Sequence, residues 1–440
     1  MKAPDSFCAA PWTHTYCSPQ GERRLCCASR EQATWQKQYI DADGKGDAEQ
    51  FSPISLLEHW NSDKMKRIRL QMLNGEAPDE CQICNQNILN LYTYKKYFNE
   101  TLFAHKLEHL VGSTNADGSL DYLPVSFDYR ISNLCNFKCR MCGEQLSSSW
   151  ESEKRKHGQW NPKHDKWMIK ENRSALEEFK TEYLEKELWA AVKEHRIEEI
   201  YWVGGEPLMW DIHWEIMSYL DKEYTAEEKK AITIRYNSNL SRTTYKDYEL
   251  GDLLFGFKNV NFCASIDGVG AAGEYIRTGL KYEDWKNNFK SLLFLNEEYG
   301  ENGLVLDVTL TLPGIIHLEG LYDLAQELSV KSYIKTTFAF DASVLMSPMC
   351  LPRELLDEII DEKIAYFRSK GMNHLTKIYE IALNDLKGKP VFSQSFGEEQ
   401  TKINKIQGKR RLEFLDKIRE SDIRDYLKQN TKVLSWWENE

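Results

Sequence analysis

Residues 133–143 read NLCNFKCRMCG, with Cys135, Cys139 and Cys142 in a C-x3-C-x2-C spacing. Three thiolates this close can wrap one face of a metal cluster. Ligation by thiolates alone suits an iron–sulfur cluster or zinc. A [4Fe–4S] cluster held by three cysteines keeps one iron open. A catalytic metal site needs such an open position, whereas four protein ligands close a site. On spacing alone, the competing reading is a zinc knuckle completed by a distant fourth ligand.

Outward from this loop, residues from about 123 to 340 alternate between strand-like and helix-like patterns. VSFDYRI (Val125–Ile131) alternates apolar and polar residues and runs into the cysteine loop. IEEIYWV, ending at Val203, then ITIRY, NVNFCASI, LVLDVTLTL and SYIKTTFAF are further short β-rich runs. Helical periods separate them. One runs from Ser174 to His195 and opens on Ser174 and Glu177, a capping-box pair. Others set Trp285, Phe289, Leu292 and Leu293, or Leu318, Leu321, Ala325 and Leu328, on one face. Six strands with intervening helices predict right-handed crossovers and a parallel sheet, hence an α/β partial (β/α)6 barrel. In such folds the chemistry sits at the C-terminal ends of strands. The cysteine loop, GGEP (Gly204–Pro207), NSN (Asn237–Asn239) and SIDG (Ser265–Gly268) all fall there. A plain turn before a helix is the other reading of GGEP.

The composition is that of an ordinary globular chain: 440 residues, 41% hydrophobic and 28% charged. With 57 Lys and Arg against 68 Asp and Glu, the net charge is −11, which repels phosphate backbones, so no nucleic-acid partner is expected. The basic run Lys409 to Arg411 reads as a solvated helix face. The opening MKAPDSFCAAPW has no apolar signal core, and no apolar run of membrane-spanning length appears. These features predict a cytoplasmic protein with no membrane association. A reducing compartment disfavours disulfides, so eleven clustered cysteines point to metal or redox chemistry.

The motifs CNFKCRMC (135–142), GGEP, YNSN (236–239) and SIDG together resemble the radical S-adenosylmethionine (SAM) superfamily over roughly residues 123–340. The resemblance implies that Cys135, Cys139 and Cys142 hold three irons of a [4Fe–4S] cluster. The fourth iron would chelate the amino and carboxylate groups of SAM, whose reductive cleavage gives a 5′-deoxyadenosyl radical. The cofactor carries that chemistry and the protein positions it. Gly204 and Gly205 would let the backbone approach SAM, and Glu206 would accept hydrogen bonds from its ammonium. Ser238 and Asn239 would contact the ribose or the methionine carboxylate. Ser265 and Asp267 share one side of their strand and would meet the ribose hydroxyls. Arg277, in EYIRTG, would pair with the SAM carboxylate. The plainer readings are turn formation for Ser and Asp, and a surface position for Arg277. Met141 stands where the superfamily often has an aromatic residue against adenine; its polarizable sulfur suits the same contact.

Residues 1–115 resemble the twitch module, a short relative of the SPASM domain, which holds one auxiliary cluster. The pattern C…GxxxxC…CxxC fits Cys8, Cys26, Cys81 and Cys84, with Gly21 before Cys26. Cys27 competes with Cys26 as ligand, and Cys17 has no clear role. A structural zinc site with four thiolates is the alternative. Here the module precedes the barrel, whereas it commonly follows it. Cys263 reads as a core thiol, and Cys350 as packed. Residues 120–345 form the expected barrel and residues 346–440 a helical extension, with a helix beginning at Pro352 and a loop around 387–400.

The function these features predict is a radical SAM oxidoreductase. It would abstract hydrogen from a small molecule or peptide and oxidise the substrate with help from the auxiliary [4Fe–4S] cluster. Its reductant would be a flavodoxin or ferredoxin. Thr309, Thr311 and Asp341 are candidates to line the pocket. Two rival readings are a radical SAM peptide maturase, crosslinking or epimerising, and a zinc-stabilised, non-catalytic interaction protein.

Overall fold

The computed structural model describes residues 3–29, 53–85, 94–161, 166–257, 259–336 and 345–439. The fold is α/β with a mostly parallel central sheet. The strands are β1 (His14–Cys17), β2 (Arg23–Arg24), β3 (Ser126–Tyr129), β4 (Glu199–Trp202), β5 (Thr233–Ser238), β8 (Asn259–Ser265), β9 (Leu304–Thr309) and β10 (Ser332–Lys335), with a small separate hairpin of β6 (Thr244–Tyr245) and β7 (Tyr248–Glu249) between β5 and β8. The chain divides into two compact units. One comprises residues 1–134, 151–235 and 253–259, the other 135–150, 236–252 and 260–440.

In the first unit β3 pairs in parallel with β4 and, on its other side, with β1; β2 then pairs antiparallel with β1. The register His14 opposite Ser126 and Cys17 opposite Tyr129 makes β1 a sheet strand. A core of Phe7, Trp12, Trp60, Met65, Ile68, Met72, Phe98 and Phe103 lies under the N-terminal segment. Arg69 is buried within it because its guanidinium meets the carbonyls of Pro11, Trp60 and Gly118. Each of its three side-chain nitrogens thereby finds an acceptor that replaces water.

In the second unit β9 is flanked in parallel by β8 and β10. The helix Leu318–Leu328 buries Leu318, Leu321, Tyr322, Leu324, Ala325 and Leu328. The C-terminal helices Arg353–Ser369 and His374–Lys387 pack there through Tyr322, whose ring meets Phe367 and Tyr379.

Two expectations need correction, and a third is only partly covered. Ser174 does not cap a helix: the helix begins at Lys170, behind Ile169, and runs through a π turn at Lys180–Glu185. The loop expected around 387–400 contains a short helix, Phe392–Phe396, and the start of a long one, Glu398–Ile418. The sixth strand is described only at Ser332–Lys335; residues 337–340 and Asp341 lie outside the described residues. Among those described, no helix is long and apolar enough to cross a membrane.

Candidate cluster and cofactor site

The second unit holds the C-x3-C-x2-C loop. Cys135 and Cys139 are buried and Cys142 half-buried. The loop is tied down from several sides. The Cys135 N–H donates to Ser148 Oγ at 3.2 Å, and Ser149 Oγ donates to the Cys135 carbonyl at 2.8 Å. Trp150 Nε1 donates to the Cys139 carbonyl at 2.7 Å, and the Cys142 N–H donates to the same carbonyl at 2.9 Å. Lys138 and Arg140 donate their N–H groups to the carbonyls of Thr278 and Ile276, at 2.7 and 2.8 Å. The Arg140 side chain lies over the Tyr275 ring, 3.8 Å from its centroid, and pairs with Asp416 at 2.8 Å. Arg419, just past the long C-terminal helix, donates to the Lys138 carbonyl and covers Trp150.

Donors also face the sulfurs. The Phe137 N–H lies 3.5 Å and the Asn239 side-chain amide 3.7 Å from Cys135 Sγ, and Arg277 Nη1 lies 4.0 Å from Cys139 Sγ. Burial pushes the Cys142 thiol up to about 12. It also raises that of Cys139, against the pull of the Arg277 guanidinium. Such groups stay protonated until a metal displaces the proton. Three cysteines in one ordered loop, with N–H donors aimed at their sulfurs, fit the thiolates of a cluster.

In the first unit, GGEP follows β4. The Gly205 N–H donates to the Ser132 carbonyl at 3.2 Å and the Glu206 N–H to the Leu134 carbonyl at 2.8 Å. Leu134 immediately precedes Cys135 in the chain. A Cβ on Gly205 would meet the Leu134 carbonyl oxygen at 2.4 Å, so this backbone contact admits no side chain. Gly204 has φ +140°, which glycine alone adopts readily. Glu206 is buried, and one carboxylate oxygen accepts the Leu208 N–H at 3.1 Å, capping the turn Pro207–Met209. A carboxylate keeps further lone pairs for a ligand.

The remaining candidates separate by strand parity. Ser238 is buried with Ile234 and Tyr236, and its Oγ accepts the Leu240 N–H at 2.9 Å. Asn239 donates to Asn136 Oδ1 at 3.0 Å, beside the cluster loop. Met141 is buried in that loop. Asp267 is buried, accepts the Thr309 N–H at 2.7 Å and pairs with Arg277 Nε at 2.7 Å. Arg277 is therefore a buried, paired residue rather than a surface one. Ser265 stands 3.5 Å from Asp307, whose Oδ2 also accepts from Asn237 and Lys335, each at 2.7 Å. Asp307 and Lys335 escaped the sequence reading; the available signal was a carboxylate inside the apolar run LVLDVT. Thr311 is buried and caps the helix Leu312–Ile316, its Oγ1 accepting the Gly314 N–H.

Cys8, Cys26, Cys81 and Cys84 line one cavity of the first unit, about 430 Å³ including its mouth, with Leu25, Tyr94 and Phe98. Cys27 does not line it, but lies beside Tyr94, which does. Cys17 lies at the end of β1 beside Arg23. Burial pushes the Cys8 thiol up to about 12. Among the described residues, no three His, Cys, Asp or Glu groups meet closely enough to hold a single ion. The four thiols border a shared cavity, and a cluster takes its ligands at separate irons. Cys263 is buried beside Asn261, and Cys350 is buried in the turn Pro348–Cys350.

Residues 129–315 match the family model of the Radical SAM superfamily. That family implies a [4Fe–4S] cluster, SAM and its reductive cleavage. Two solved structures are similar. One is TYW1 with a lysine–pyruvate adduct bound: 15% identity, 52% of this chain and 68% of that one, TM-score 0.27. The other is SuiB from Streptococcus suis bound to S-adenosylmethionine: 13% identity, 44% of this chain and 43% of that one, TM-score 0.28. No curated protein matches the chain.

Proposed function

We propose that this protein is a radical SAM oxidoreductase with a second, twitch-type [4Fe–4S] cluster. The observation that carries the second cluster is the single cavity lined by Cys8, Cys26, Cys81 and Cys84. Cys135, Cys139 and Cys142 hold the first cluster. Together with SAM it supplies a 5′-deoxyadenosyl radical that removes a substrate hydrogen. By the resemblance, Gly204 and Gly205 admit SAM and Glu206 accepts from its ammonium, Met141 meets the adenine, Ser238 and Asn239 contact the ribose or the methionine carboxylate, and Ser265 and Asp267 meet the ribose hydroxyls. Four thiolates saturate the auxiliary cluster, so it accepts an electron from the substrate rather than binding it. The substrate is a small molecule or peptide, and a flavodoxin or ferredoxin delivers electrons. The net negative charge, −11, gives no support to a nucleic-acid substrate.

Counting iron and sulfide after anaerobic loading tests the reading. The wild type holds about eight irons, and Cys135→Ala/Cys139→Ala/Cys142→Ala and Cys8→Ala/Cys84→Ala each about four. About four irons in the wild type, none of them lost in Cys8→Ala/Cys84→Ala, overturns the auxiliary cluster. Zinc in its place restores the structural alternative.

A further inference from the structure

Arg277 stands directly across from Cys139. Lys138 and Arg140, the neighbours of Cys139, donate to Thr278 and Ile276, the neighbours of Arg277. Two backbone hydrogen bonds therefore bracket the pair and fix its register. The side chain is fixed as well. Its Nε lies 2.7 Å from Asp267 Oδ2, and the other Asp267 oxygen accepts the Thr309 N–H at 2.7 Å. Asp267 is thus anchored by the backbone of β9 and holds the guanidinium in turn. The end that remains, Nη1, is 4.0 Å from Cys139 Sγ.

We propose that Arg277 is a positioning residue that raises the reduction potential of the cluster held by Cys135, Cys139 and Cys142. The inference rests on the radical SAM reading of that loop. Reduction adds one negative charge to the cluster. A cation beside a ligand sulfur stabilises the reduced form, and hydrogen bonds to cluster sulfurs act in the same direction. Asp267 opposes this, but the guanidinium stands between it and the sulfur. Coulomb energy falls with distance, so in this low-dielectric setting the nearer cation prevails. Asn239, 3.7 Å from Cys135 Sγ, supplies a second donor to the same cluster. Arg277 accordingly serves the cluster itself, and its pairing with Asp267 is what aims it.

The test is a redox titration of the loaded protein without SAM, followed by electron paramagnetic resonance, in a Cys8→Ala/Cys84→Ala background that leaves one cluster. Arg277→Gln moves the midpoint to a more negative potential. Arg277→Lys, which keeps the charge but loses the reach, lies between Gln and wild type. If the Gln protein does not retain its cluster, the Lys protein decides alone, because its midpoint must still be more negative than wild type. Unchanged midpoints with weakened SAM binding overturn the proposal and make Arg277 a ligand of the SAM carboxylate. Failure of the unsubstituted Arg277 protein to assemble this cluster refutes the underlying reading instead.

Discussion

At the scale of single residues, the two glycines of GGEP do different work. Gly204 supplies a backbone conformation, and Gly205 supplies space against the Leu134 carbonyl. Gly205→Ala must therefore displace the segment leading into Cys135. We predict a loss of about 1–3 kcal/mol in denaturant unfolding, typical of overpacking, together with weaker SAM binding in calorimetry. Two buried histidines set a pH dependence. Burial holds His59 and His213 down to about 3 in the folded chain, against an ordinary 6.5. Below pH 6.5 the unfolded chain binds these protons and the folded chain does not. Stability is thus complete above pH 6.5 and falls as the pH drops toward 3, at about 1.4 kcal/mol per pH unit for each histidine. His213→Leu should remove one such contribution, about one proton, from the slope of unfolding free energy between pH 5.5 and 4. An unchanged slope contradicts this.

The residue scale is also where the sequence was least legible. Cys26 and Cys27 are neighbours with the same chemistry, and only the folded chain shows that Cys26 lines the cavity while Cys27 does not. Asp267 and Arg277 are ten residues apart, and no periodicity predicts that they pair.

At the scale of elements, the strands β3, β4, β5, β8 and β9 were readable because each combines β-branched or aromatic residues with turn signals at its ends. β1 was not. Its four residues, HTYC, are too few to show a period, and pairing with β3 defines them as a strand. The helix at Lys170 lacks a side-chain cap, whereas Ser174 and Glu177 offered a better local signal inside it. The long helix Glu398–Ile418 was taken partly as loop because Gly397 and the Gly-, Ser- and Lys-rich stretch before it look irregular. That helix has a consequence for the site. Asp416, near its end, pairs with the buried Arg140 of the cysteine loop and accepts the Ile423 N–H at 2.9 Å. Removing one partner of a buried ion pair leaves the other charge uncompensated. Asp416→Ala should cost about 3–5 kcal/mol in denaturant unfolding and lower the iron held by Cys135, Cys139 and Cys142. Iron at the proposed auxiliary site, Cys8, Cys26, Cys81 and Cys84, should persist. Equal loss from both sites would contradict a local bracing role.

At the scale of the whole molecule, the two units carry complementary chemistry. One contains GGEP and the four-cysteine cavity; the other contains the C-x3-C-x2-C loop, Arg277 and the Asp307 cluster. The radical SAM match, residues 129–315, draws on both. Class of chemistry was legible from the sequence because cluster ligation demands cysteines at fixed spacing. Substrate identity was not, because substrate-contacting residues obey no comparable rule. The central claim is that the three-cysteine loop supports reductive cleavage of SAM. Its most direct test is 5′-deoxyadenosine formation by the anaerobically loaded protein with SAM and a reductant, measured beside Cys135→Ala/Cys139→Ala/Cys142→Ala. The account predicts product from the wild type and none above the reagent background from the variant. No product from a wild type that holds its cluster, or equal product from both proteins, would contradict it.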